Sequence, residues 1–143
     1  MSSAEAQRFV EIASSVIDAV KNQGPLDARA FEMELSAAEM TVNSETLRWL
    51  VGKETAITSK GDVYGRKWDI ESYESVLDAV LEREYHKNCI YLAIKEGCTS
   101  VRDINKKIGL DLQRISYLLA DMEKTNTVEF TAMEDRKPVF AAL

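Results

Sequence analysis

The chain opens on a helical rhythm. Phe9, Ile12, Val16 and Val20 recur at steps of three and four, the period of one helical face, and Gly24-Pro25 stops the run, so a helix is expected over Glu5 to Gln23. Asp27 is placed to cap a second segment with Phe31 and Leu35 on one face, followed by a looser stretch from Ala37 to Val42. Asn43 or Ser44 caps a third helix carrying Leu47, Leu50 and Val51. After Gly52 the rhythm changes. Thr55 to Thr58, the turn residues Ser59 to Asp62, and Val63 to Ile70 read as strand, tight turn and strand, with Tyr64, Trp68 and Ile70 on one face by a period of two.

The second half repeats that order. Tyr73, Leu77, Leu81, Tyr85, Cys89 and Leu92 keep a stripe along Glu71 to Glu96, a long helix with a break near His86 as the alternative. Gly97 ends it, and Thr99 or Ser100 caps a short helix with Val101, Ile104 and Ile108. Gly109-Leu110 turns into a third helix capped by Asp111 and striped by Ile115, Leu118, Leu119 and Met122. Thr127 to Thr131 and Val139 to Leu143 then read as strands joined by Ala132 to Pro138. Aligned by pattern, Val16 and Val20 fall on Ile90 and Ile94, Phe31 and Leu35 on Ile104 and Ile108, and Leu47, Leu50 and Val51 on Ile115, Leu118 and Leu119. The expected architecture is mainly α with small β-hairpin wings: tandem winged helix-turn-helix units over residues 1–70 and 71–143.

Composition narrows the function classes. With 45% hydrophobic residues the chain can build packed cores. Its longest apolar run, Cys89 to Ile94, is far too short to span a bilayer, and Glu11 and Asp18 interrupt any secretory pattern, so an intracellular, cytoplasmic protein is expected. The net charge of −6, shared equally between 1–70 and 71–143, opposes phosphate binding over the surface as a whole; any DNA contact must be local.

Ala93 to Gly97, Ser100 to Ile104, Gly109-Leu110-Asp111, Ile115 to Leu119 and Val128-Glu129-Phe130, with a wing through Val139, make residues 91–143 resemble the winged-helix domains of bacterial and archaeal regulators of the MarR and ArsR type. Residues 8–70 resemble the same superfamily more loosely, with Ser36 to Val42 standing where a short glycine turn is usual. The resemblance implies a third helix in the major groove and a wing on a neighbouring groove or backbone. Carried over, Gln113, Arg114, Ser116 and Tyr117 face outward, Lys106 and Lys107 lie near phosphate, and Arg136 and Lys137 sit on the wing. Gln and Arg can make paired hydrogen bonds to adenine and guanine edges. The alternative, that these are ordinary solvated helix positions, stands beside it, because Asp121, Glu123, Glu134 and Asp135 are close in sequence and repel phosphate.

The first half supplies Arg48 on its third helix and Lys60, Arg66 and Lys67 on its hairpin, where Tyr64 and Trp68 read as packing residues. His86, Cys89 and Cys98 have a spacing that a loose metal or redox cluster could use, but reduced, partly buried thiols account for them more simply. No catalytic constellation, cofactor motif or metal-site spacing stands out. Two functions follow: a DNA-binding transcriptional regulator, dimeric through the long helix, or a tandem winged-helix subunit that binds a protein partner, as in chromosome-condensation, membrane-sorting and polymerase-associated complexes.

Overall fold

The computed structural model describes residues 3–134 and 137–143. Its helices are α1 (Ser3–Gln23), α2 (Glu32–Val42), α3 (Glu45–Thr55), α4 (Ile70–Lys95), α5 (Val101–Ile108) and α6 (Leu112–Lys124), and its strands are β1 (Val128–Glu134) and β2 (Lys137–Ala142). The described residues are mainly helical with one small antiparallel hairpin. It divides into two units, Met1–Glu32 and Met33–Leu143. In the first, α1 runs as its periodicity predicts and ends where Gly24 takes a positive φ before Pro25, yet Phe9, Ile12, Val16 and Val20 all remain exposed.

The core lies in the second unit. Ile90, Ala93 and Ile94 of α4, Ile104 of α5, Ile115, Leu118, Leu119 and Met122 of α6, and Val128 of β1 form one buried cluster. Each of its three helices starts at a capping side chain. Asp69 accepts from the Ser72 amide to start α4, Ser100 from the Asp103 amide to start α5, and Asp111 from the Gln113 and Arg114 amides to start α6. Gly109 ends α5 at φ +71°, the left-handed cap that a side chain would strain. Helix α4 is continuous through His86, 26 residues long, and begins one residue earlier than the periodicity suggests.

The hairpin is longer than expected. Its strands run through most of the stretch assigned to the connecting loop, pairing Val128 with Ala142, Phe130 with Phe140 and Glu134 with Lys137. A bulge between Phe130 and Ala132 absorbs one residue, and Thr131 donates its hydroxyl to the Val139 carbonyl there. On its other side β2 is tied to the entry of α5 by a bridge between Ser100 and Val139 and by the Phe140 amide donating to the Thr99 carbonyl.

The first expected hairpin is not formed. Thr55 to Ile70 is no strand pair: α3 runs on into a π-helical turn, Ala56–Lys60, where Thr58 donates its hydroxyl to the Glu54 carbonyl and Gly61 its amide to Ala56. The chain does reverse, with the Trp68 amide donating to the Ile57 carbonyl, but a side chain closes the reversal. The Asp62 carboxylate accepts from the Tyr64 and Arg66 amides and from Arg66 Nε, at 2.8, 2.9 and 2.7 Å, taking amides that a strand ladder needs. Gly61, at φ +78°, is required: a Cβ there would meet the Arg66 carbonyl oxygen at 2.7 Å. Tyr64, Trp68 and Ile70 alternate without burying a face, and all are exposed.

The second segment also differs from its expected form. Residues 28–31 make a turn in which Asp27 accepts from the Arg29 amide, and α2 starts only at Glu32. Its buried positions are Ala37 and Thr41, in the stretch left unassigned, whereas Phe31 and Leu35 are exposed. Thr41 donates to the Ala37 carbonyl and accepts from Asn88 of α4, and Tyr73 of α4 donates to the Leu50 carbonyl of α3. The pattern match between the halves is therefore followed by burial only in part: Leu47 is buried as Ile115 is, but Phe31 and Leu35 are exposed where Ile104 is fully buried and Ile108 half-buried, and Val51 is exposed where Leu119 is buried.

Leu118→Ala, at a fully buried position, is expected to cost about 2–5 kcal/mol in urea unfolding, whereas Val63→Ala, at a position 94% exposed, should change stability by less than about 0.5 kcal/mol.

Candidate nucleic-acid interface

Helix α6 is divided lengthwise. Ile115, Leu118, Leu119 and Met122 face the core, and the opposite side presents Gln113, Ser116 and Tyr117 to solvent with Arg114 half-buried beside them. Gln113, Arg114 and Tyr117 line one shallow depression with the capping residue Asp111, so the structure brings these three sequence-predicted residues together. Ser116 is turned back onto its own helix, donating to the Leu112 carbonyl at 2.9 Å.

The lysines of α5 are not equivalent. Lys106 is exposed, but Lys107 Nζ lies 2.8 Å from Glu96 Oε2, and that bond holds its ammonium above the ordinary lysine range. Lys107 is thus engaged within the fold. Arg136 lies outside the described residues, as does the side chain of Lys137, whose backbone begins β2. The other predicted cations belong to a different surface. Arg48 borders a groove between α3 and α4, and Lys60, Arg66 and Lys67 belong to the loop around Gly61, where Arg66 is paired with Asp62 at 2.6 Å and lies over the Tyr64 ring.

Neither the family models, nor the curated proteins, nor the solved structures compared with the chain contain a match to it. The site therefore has to be weighed on its own geometry, and two groups that the sequence did not single out as a unit prove central to it. Arg83 and Lys87, one turn apart on α4, both reach Asp121 of α6, at 2.5 and 2.6 Å. The bonds from Lys87 and then Arg83 hold the Asp121 carboxyl down at about 2, and the pair of cations cancels a charge that counted against phosphate binding. Position in sequence gives no hint of this, because the contact spans 38 residues and depends on which face of α4 meets α6. Arg102 adds an exposed cation on α5 that the sequence reading passed over.

The remaining candidate chemistry does not assemble. Cys89 is buried, which pushes its thiol up, and Cys98 is half-buried. Among the described residues no group of three or more His, Cys, Asp or Glu side chains is placed to hold a metal ion, and no helix is long and apolar enough to cross a membrane.

Because the folded Asp121 carboxyl titrates at about 2 and an ordinary one at 3.8, its stabilising contribution is complete above the higher value and is lost as pH falls through the lower. Asp121→Asn should therefore cost roughly 1–2 kcal/mol at neutral pH, after allowance for solvent screening, with the difference from wild type closing as pH approaches the folded value in denaturation series.

Proposed function

We propose that the protein acts by binding rather than by catalysis, as a DNA-binding transcriptional regulator of winged-helix type in the cytoplasm, with α6 as the helix that enters the major groove. The observation that carries the proposal is the exposed face of α6. Gln113, Arg114 and Tyr117 lie together in the first half of the helix beside the capping Asp111, and Asp121 further along is already neutralised by Arg83 and Lys87, while Glu123 stays exposed. Arg114 offers the paired donors that a guanine edge accepts, Gln113 the donor and acceptor that match an adenine edge, and Lys106 and Arg102 stand on the neighbouring helix as backbone contacts. A homodimer would present two such helices to a two-fold operator, and the long α4, exposed along part of its length at Val76 and Leu81, is the proposed contributor to that interface.

A second reading has its own support. Trp49, Tyr64 and Trp68 are each at least half exposed on the α3 side of the second unit, a concentration of aromatic surface that suits a protein partner. Under this reading the chain is an interaction subunit without direct DNA readout.

Fluorescence anisotropy against pooled genomic fragments separates the two. DNA binding by α6 should weaken steeply with added salt; Arg114→Ala should cost about 1–3 kcal/mol, and Lys106→Ala should lower the salt slope by about one. Lys107→Ala, at a residue committed to Glu96, should do less. Absence of binding at low salt, or an unchanged affinity in Arg114→Ala, would sink the DNA reading in favour of the partner-binding one.

A further inference from the structure

A cleft of about 320 Å³ opens between α2, α4 and the end of α5. Its apolar walls are Met33, Ile108, Leu110 and the body of Tyr85, with Glu34 on one side and His86 and Cys89 further along α4. This is within the size range of small-ligand sites. None of the residues proposed to meet DNA lines it except Lys107, which is bound to Glu96.

The charge of the cleft is one-sided. Glu34 is exposed and belongs to no ion pair among the described residues. Its field reaches across the opening: burial is the first cause that pushes Tyr85 and Cys89 up, and Glu96 the first for Lys107, but the Glu34 carboxylate adds to all three. Lys107, the cation of the cleft, is neutralised by Glu96 at 2.8 Å. Helix α5 ends here as well, so the negative end of its dipole lies at the cleft, with Gly109 and Leu110 forming the turn. An anion would face an unpaired carboxylate and a helix C-terminus. A cation with an apolar body meets favourable partners at both of its ends.

We propose that this cleft is a binding site for a small primary amine carrying an aromatic or aliphatic body, its ammonium held by Glu34 and its apolar part laid against Met33, Ile108 and Leu110. The occupant touches the turn that joins α5 to α6, but its binding requires no DNA and is measured on the protein alone.

The experiment is an amide ¹H–¹⁵N NMR titration of the full chain with 2-phenylethylamine, and in parallel with phenylacetate, which keeps the body and reverses the charge. The amine should give saturable shifts centred on Glu34, Gly109 and Leu110, with phenylacetate at least about tenfold weaker. Glu34→Gln, at an exposed position, should leave the rest of the spectrum native and weaken the amine by about tenfold, the loss of one charge-assisted contact. No saturable shift at up to about ten millimolar amine, equal binding of phenylacetate, or an unaffected Glu34→Gln variant would each overturn the proposal.

Discussion

Burial of one face of α6 is the constraint from which the second unit is built. Four of its side chains meet three from α4, one from α5 and one from β1, and all nine are buried. The direction of the exposed face follows from that, because side chains on a helix are fixed relative to one another by its pitch. Once Ile115, Leu118, Leu119 and Met122 point inward, Gln113, Ser116 and Tyr117 have no choice but to point out. The clamp of Arg83 and Lys87 on Asp121 adds a polar stop on the same helix, fixing its rotation by a second and chemically different means.

Legibility in the sequence divides sharply along the chain. From Ile70 onward local signals and global packing agree: Asp69, Ser100 and Asp111 cap where a short acceptor precedes an apolar stripe, Gly109 stops a helix, and Val128 and Phe130 belong to a strand. Before Ile70 the signals conflict. Tyr64, Trp68 and Ile70 alternate as a half-buried strand should, but alternation records burial only when there is a layer to bury against, and no core residue of the main cluster lies there. With that energy missing, the local demand of Asp62 for backbone amides decides the conformation. The same logic misplaces α2, where Leu35, Met40 and Val42 are exposed while Ala37 and Thr41 are buried, Thr41 accepting from Asn88 of α4.

The candidate site was legible in its residue types and not in their availability. Gln113, Arg114 and Tyr117 are what the winged-helix resemblance implies, at positions off the apolar stripe of the helix. That Lys107 is spoken for by Glu96, and that Asp121 is cancelled by cations from another helix, are facts of tertiary contact with no sequence-local trace. A chain with six excess negative charges can still present a locally permissive surface where a neighbouring carboxylate, as Asp121 is here, is tied up by cations of the fold.

Helix α4 serves two packings at once. Near its start Tyr73 hangs from the backbone of α3, and near its end Ile90, Ala93 and Ile94 enter the main cluster, with no break in the rod between. Since each residue advances a helix by about 100°, adding or deleting a single residue anywhere between these anchorages would swing one set of contacts out of alignment with the other. The length of the spacer is therefore fixed, whereas only its side chains without partners are free to vary: Arg83, Lys87 and Asn88 lie within it and are held by Asp121 and Thr41.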